Sequence, residues 1–159
     1  MNNFEKSMPF ILSAEGGYCN DSHDPGGETK YGIDKADHPN VDIANLTVAH
    51  ATTIYYNSYW MPLGLDHIPW PLCLYVFDCA VNQGPPTAAR LLQQALNVAI
   101  DGKIGPLTLA AANNANADQI AGFMTLRLKR YISTVNFGVF GTGWINRITN
   151  CVFYAGKNL

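Results

Sequence analysis

Charge is scarce in this chain. Only 14% of its 159 residues are charged, the formal charge is -2 and the pI is near 6.0. The balance offers no electrostatic footprint for a phosphate backbone, so no nucleic-acid partner is expected. Long hydrophobic runs are missing too. The most apolar stretch, residues 72–81, is interrupted by Asp78 and is too short to span a bilayer, which argues against stable membrane insertion. The opening Met1-Asn2-Asn3-Phe4-Glu5-Lys6 has no basic cluster, apolar core or small-residue cleavage site. Cytosolic synthesis without a signal peptide is therefore expected. Cys19, Cys73, Cys79 and Cys151 are dispersed, with neither a Cys-x-x-Cys pair nor zinc-site spacing. Free, mostly buried thiols are expected in a cytosol-made protein, although later release into an oxidising compartment would permit pairing. No glycine loop opens a helix to cradle phosphate, and no serine sits on a nucleophile elbow. His23, His38, His50 and His67 are scattered. No metal or other cofactor is expected.

What is present is a core. Hydrophobic residues make up 48% of the chain, too much for a disordered segment, and the length suits one compact domain. Phe4, Met8, Ile11 and Leu12 recur at helical spacing behind an Asn2/Glu5 capping box, which predicts a first helix over 3–15 ended by Gly16-Gly17. The Gly-, Asp- and Asn-rich segment 18–33 contains Asp24-Pro25-Gly26-Gly27, a type II turn signature. It reads as a shaped loop or small hairpin, with Tyr31-Gly32-Ile33 as a possible short strand. Thr47 caps a helix expected to run to Tyr59 and stop at Pro62. Pro71 suits the first position of a buried helix over 72–82. Gly84-Pro85-Pro86 is expected to break the chain, followed by an amphipathic helix over 87–97 and a loop over 101–106. Further helices are expected from Leu107, over 118–135 and over 144–154, with Gly138, Gly141 and Gly143 as the break before the last. The fold is thus mainly α, with residues 1–85 and 86–159 forming two regions of one unit.

Glu15 is the first candidate for chemistry. It follows Ile11 by four residues and Met8 by seven, so it shares the apolar face of its helix. The negative end of the helix dipole and partial burial would both disfavour its ionisation. A carboxyl kept protonated near neutral pH is what a glycosidase needs to protonate a leaving-group oxygen. Position alone fits a solvated helix-end carboxylate better, and the surrounding sequence reverses that balance.

The run Glu15-Gly16-Gly17-Tyr18, followed by Asp24-Pro25-Gly26-Gly27, resembles the signature of glycoside hydrolase family 108, N-acetylmuramidases common among phage endolysins. Phe77-Asp78-Cys79-Ala80-Val81-Asn82-Gln83-Gly84 resembles a second segment of that family, and Tyr56-x-x-Tyr59-Trp60 ahead of Pro62 a third. The resemblance implies a lysozyme-like fold, a small loop or β-hairpin lobe facing a helical lobe, with Glu15 as proton donor. The order Glu15, Asp24, Thr29 also looks like the catalytic triad of phage-type lysozymes. Asp24 would support developing positive charge or act as base, and Thr29 would hold the water. Asp21 competes for the second carboxylate role, and turn capping is the structural alternative for both aspartates. Tyr18, Tyr59, Trp60, Asn82 and Gln83 are the candidate sugar-binding residues, since flat rings and amides suit a glycan. Aromatic clusters are, however, more often core, and Asp78 fits a satisfied core network at least as well as a groove.

Asp101-Gly102-Lys103-Ile104-Gly105-Pro106-Leu107-Thr108 and Gly143-Trp144-Ile145-Asn146-Arg147 are similar to segments of predicted peptidoglycan-binding domains. The chain departs from the family pattern at Cys19, Glu28 and Asp34, and Glu28 adds negative charge beside Thr29. The expectation is a monomeric endolysin that hydrolyses the N-acetylmuramic acid–N-acetylglucosamine β-1,4 bond of bacterial peptidoglycan, made in a host cytoplasm and acting on the wall after release. A lytic transglycosylase and a non-catalytic wall-binding protein are the alternatives. Chitin is a further substrate sharing N-acetylglucosamine.

Overall fold

The computed structural model describes residues 1–14, 19–20 and 27–159. Its first helix, α1 (Asn3–Ala14), begins with the capping box read from the sequence. Glu5 N donates to Asn2 Oδ1 at 2.8 Å and Asn2 N donates to Glu5 Oε2 at 3.0 Å, satisfying two of the donors a helix start leaves open. Phe4, Met8 and Ile11 are buried, as their spacing requires.

A three-stranded antiparallel sheet follows, in the order β1 (Cys19–Asn20), β2 (Glu28–Lys30), β3 (Ile33–Asp34). Thr29 lies in the central strand, opposite Cys19 on one side and Asp34 on the other. Tyr31-Gly32, expected within a strand, is instead the two-residue turn joining β2 to β3. Both residues have positive φ, 53° and 73°, the conformation that matches a tight hairpin to strand twist. The Tyr55 hydroxyl donates to the Tyr31 carbonyl at 2.8 Å and fastens this hairpin to the helices.

Thr47 caps α2 (Val48–Tyr55), its hydroxyl accepting from His50 N at 3.2 Å. The chain does not continue as α-helix to Tyr59. It widens into a π-turn over Tyr56–Trp60 and tightens into 3-10 turns over Met61–Leu63 and Leu65–His67 around Gly64. Pro62 sits inside the first of these short turns, where its missing N–H is tolerated.

The central helix α3 (Leu72–Gln83) is buried along almost its whole length. Gly84, with φ 87°, breaks the chain, but Pro85 and Pro86 do not. They start α4 (Pro85–Leu96), because fixed φ and the lack of an N–H suit the first turn of a helix. After α5 (Pro106–Asn113), α6 (Ala117–Ile132) opens on a second capping box, Asn116 with Gln119. The last helix, α7, runs over Phe137–Lys157, seven residues longer at its start than the sequence suggests, with Gly138, Gly141 and Gly143 inside it. Its aromatic residues outweigh the helix cost of those glycines. Trp144 stacks on Tyr131 with ring centroids 4.8 Å apart and meets Phe137 and Phe140 at 6.4 and 5.9 Å.

One hydrophobic core joins both sides of Gly84: Ile11 of α1 and Phe77 of α3 share it with Leu92, Phe123 and Cys151 of α4, α6 and α7. The architecture is mainly helical and lysozyme-like, with a small β lobe beside the helices. Among the described residues no helix is long and apolar enough to cross a membrane.

Candidate active site

The last turn of α1, the end of α3 and one face of α7 enclose a groove of about 660 Å³. Phe10 and Ser13 contribute from α1 and Asn82 from α3, while α7 supplies Trp144, Asn146, Arg147, Asn150, Phe153 and Tyr154. α7 is held against α1 by the Tyr154 hydroxyl, which donates to the Lys6 carbonyl at 2.8 Å, and by Phe10 against Tyr154 at 5.4 Å. Trp70 Nε1 donates to the Ala155 carbonyl at 3.2 Å. Amides and aromatic rings on a concave surface suit a polyol with apolar ring faces. Ser13, which lines the groove, lies two positions before Glu15 in the sequence.

A buried charge cluster fixes the wall. Asp78, fully buried in α3, accepts from Arg127 Nη2 of α6 at 2.7 Å and from Arg147 Nε of α7 at 2.8 Å. The Asn82 amide lies against the Arg147 guanidinium, and turned so that its oxygen faces that donor it accepts from Arg147 Nη2 at 2.6 Å. One carboxylate thus ties α3 to the last two helices, α6 and α7. Burial alone would push the Arg127 pKa down, but the Asp78 carboxylate, with Cys79 and Cys151 beside it, more than reverses this, and the guanidinium stays charged. Asp78 is therefore a structural ion-pair partner, consistent with the core reading of its place on an apolar helix.

The candidate residues fall into three groups. Glu15, Tyr18, Asp21 and Asp24 lie outside the described residues. Thr29 is half-buried in the central strand, its Oγ1 donating to the Gly27 carbonyl at 3.3 Å, and Tyr59 is half-buried with its ring 5.7 Å from Tyr55. Asn82 reaches the groove, whereas Gln83 turns toward α6, its Nε2 3.5 Å from the Arg127 carbonyl.

Trp60 is a correction. Its side chain is fully buried, packed edge-on against Phe4 and Phe77 at 5.3 and 5.1 Å, and its Nε1 donates to Asp66 Oδ1 at 2.9 Å. The π-turn rotates it inward from the surface a regular helix would have given it, so it cannot stack on a sugar. The aromatic rings that do line the groove are Trp144, Phe153 and Tyr154. Sequence reasoning also missed Arg127. Its signal was legible: Phe123, Arg127 and Tyr131 stand four apart on one face of α6, and an arginine on a buried face needs a buried carboxylate.

The Asp101–Thr108 segment has a structural explanation. The Gln93 amide, buried in α4, donates to Asp101 Oδ1 at 2.7 Å and to the Lys103 carbonyl at 2.9 Å, and its oxygen accepts from Gly102 N at 2.8 Å. Gly102, with φ +78°, closes the turn against Arg90, whose Nε would stand 3.2 Å from an added Cβ. The Lys103 N–H, and after it the Gln93 amide, bond the Asp101 carboxylate and hold it below its usual range. Among the described residues no cluster of His, Cys, Asp or Glu could hold a metal ion.

No curated protein sequence matches this chain. Among solved structures it is similar to Brucella abortus SagA, at 34% identity and a TM-score of 0.84, over 96% of this chain and 92% of that one. Residues 8–84, from α1 through the β lobe to the end of α3, match the family model described as Glycosyl hydrolase 108. The chain belongs to glycosyl hydrolase family 108 and is a glycoside hydrolase.

Proposed function

We propose that this chain hydrolyses the β-1,4 bond between N-acetylmuramic acid and N-acetylglucosamine in bacterial peptidoglycan. The carrying observation is the groove of amides and aromatic rings that begins at Phe10 and Ser13 of α1, two positions before Glu15 in the sequence, within a chain of this hydrolase family. Glu15 is the general acid, protonating the glycosidic oxygen as the bond breaks. Asp24, with Asp21 as its competitor, supports the developing charge or activates water, and Thr29 orients that water through its hydroxyl. Asn82 and Trp144 grip the sugar chain, and no cofactor enters the reaction. The 86–159 region is part of the binding surface, since α7 supplies most of the groove. The biological setting that fits is an endolysin made in a host cytoplasm and released to the wall.

The test is mass spectrometry of borohydride-reduced products after wild type and Glu15→Gln digest purified peptidoglycan. Reducible muramic-acid ends made by wild type alone are expected. Anhydromuramic ends would mean a transglycosylase, and undiminished activity of Glu15→Gln would remove Glu15 from the mechanism. Absence of products with peptidoglycan but cleavage of chitin would reassign the substrate.

A further inference from the structure

Charge is unevenly divided along the chain. Residues 1–118 carry five basic and 12 acidic side chains, and residues 119–159 carry five basic and none acidic. Two of those five, Arg127 and Arg147, bind Asp78. Lys129 and Arg130 are exposed at the end of α6, and neither forms an ion pair with a described residue.

Directly beyond them the chain turns from α6 into α7 and carries no charge from Tyr131 to Asn146. This corner exposes large apolar side chains among the uncharged polar ones of Ser133, Thr134 and Asn136. Val135 is 99% and Val139 77% exposed, with Ile132 and Phe140 each more than half exposed. The corner is built rather than frayed: Thr134 N donates to the Tyr131 carbonyl at 3.0 Å, and Phe137 N to the Thr134 carbonyl at 3.2 Å. Phe137 and Trp144 pack behind it, and the inner side of the exposed Phe140 ring meets Trp144.

We infer that the α6–α7 corner is a docking surface for an anionic lipid bilayer, with Ile132, Val135, Val139 and Phe140 entering the headgroup boundary and Lys129 and Arg130 meeting lipid phosphates. Apolar side chains bordered by unpaired cations, with no acid within the whole 119–159 segment, complement such an interface in both hydrophobicity and charge. An anionic wall polymer would satisfy the cations but offer the four apolar side chains nothing to bury them. A second copy would bring the same positive charge against itself. At this surface the enzyme would be concentrated where wall and membrane face each other, with its glycan groove alongside.

The experiment is cosedimentation of the full chain with large unilamellar vesicles of phosphatidylethanolamine and phosphatidylglycerol, against vesicles of phosphatidylcholine, at physiological salt. Binding to the anionic vesicles and not to the neutral ones is expected. Lys129→Ala with Arg130→Ala should weaken it about 30-fold, from roughly fivefold per cation. Val135→Ser with Val139→Ser should abolish it while circular dichroism and hydrolysis of soluble glycan fragments stay at wild-type level. Equal binding to both vesicle types, or no binding to either, overturns the proposal. So does concentration-dependent dimerisation in sedimentation velocity that the Val135/Val139 variant abolishes, because the surface then belongs to a second copy.

Discussion

Replacing Asp78 by Asn should be among the most damaging single changes available outside the reacting groups. The carboxylate has no exposed surface, and it is the charge partner of Arg127, itself fully buried, and of Arg147, at the edge of the groove. The Asn amide keeps the volume but removes the charge, leaving two guanidinium groups converging on a neutral side chain. Arg127 has little in reserve: its Nε has no hydrogen-bond partner among the described residues, and Nη1 reaches the Tyr75 carbonyl at 3.5 Å and Met124 Sδ at 4.0 Å. Breaking a buried pair in this way costs about 3–5 kcal/mol. For a chain of this size that lowers Tm by roughly 6–20 °C. Calorimetry and urea unfolding at fixed pH measure it directly. A companion variant, Asp78→Leu with Arg127→Met, removes charge on both sides and should recover much of the loss, while Arg147 and Asn82 lose their anchor and activity stays low. If Asp78→Asn costs under about 1 kcal/mol, the cluster is not what joins α3 to α6 and α7, and the reasoning fails.

Other outcomes follow from named contacts. Burial pushes the Cys79 and Cys73 thiols up to about 11 and about 12. Raised folded pKa values favour the protonated native state, so this stability is complete below the unfolded thiol value of about 8.5 and is lost as pH rises toward 11 and 12. Urea midpoints should fall across that alkaline window, less so in Cys73→Ala, and a flat profile would show the thiols are not so enclosed. Inside α7, Gly138→Ala meets nothing within 4 Å and should stabilise by about 1 kcal/mol, whereas an added Cβ at Gly141 would stand 2.8 Å from the Phe137 ring. Equal Tm shifts for the two would contradict that packing. Trp144→Ala should raise KM for peptidoglycan about fivefold with kcat near wild type, the mark of lost ground-state binding, from about 1 kcal/mol of stacking. A fall in kcat alone would take Trp144 out of the binding surface.

The features legible in the sequence were those set by neighbours a few residues apart. Asn2 and Glu5 cap α1, Thr47 caps α2, and the apolar face of 72–82 became the buried α3, because capping and helical spacing are local. The misread elements were decided by distant partners. Gly138, Gly141 and Gly143 have poor helix propensity, and their helical segment is packed by partners as far off as Tyr131, on which Trp144 stacks, together with Phe137 and Phe140. Pro85-Pro86 looked like a break because proline ends helices, yet the same property lets it begin one. Trp60 reads as a sugar platform from its place in an aromatic cluster, just past a helix expected to end at Tyr59, whereas residues 56–60 form a π-turn and the Trp60 side chain is buried in the core.

The site shows the same division more sharply, and it bears on how such a groove is built. Glu15 stood out by local argument, from its place on an apolar face and the dense run after it. The groove wall that faces Phe10 and Ser13 of α1 comes from α7, more than 120 residues later in the chain, and nothing within α7 says which element it will face. That pairing is carried by Asp78. A lone acid on an otherwise apolar helix demands a cation, and Arg127 and Arg147, one on each of the last two helices, answer it from opposite sides. The ion pairs therefore orient more than they stabilise, since an apolar trio could fill the same volume at little or no cost in free energy. Their directional bonds set the rotation of α7 about its axis, and with it which of its side chains line the groove. A variant that is refilled with apolar residues at Asp78, Arg127 and Arg147 should consequently fold with near-native Tm and yet bind peptidoglycan poorly. Retention of both stability and binding would show that packing alone positions the wall.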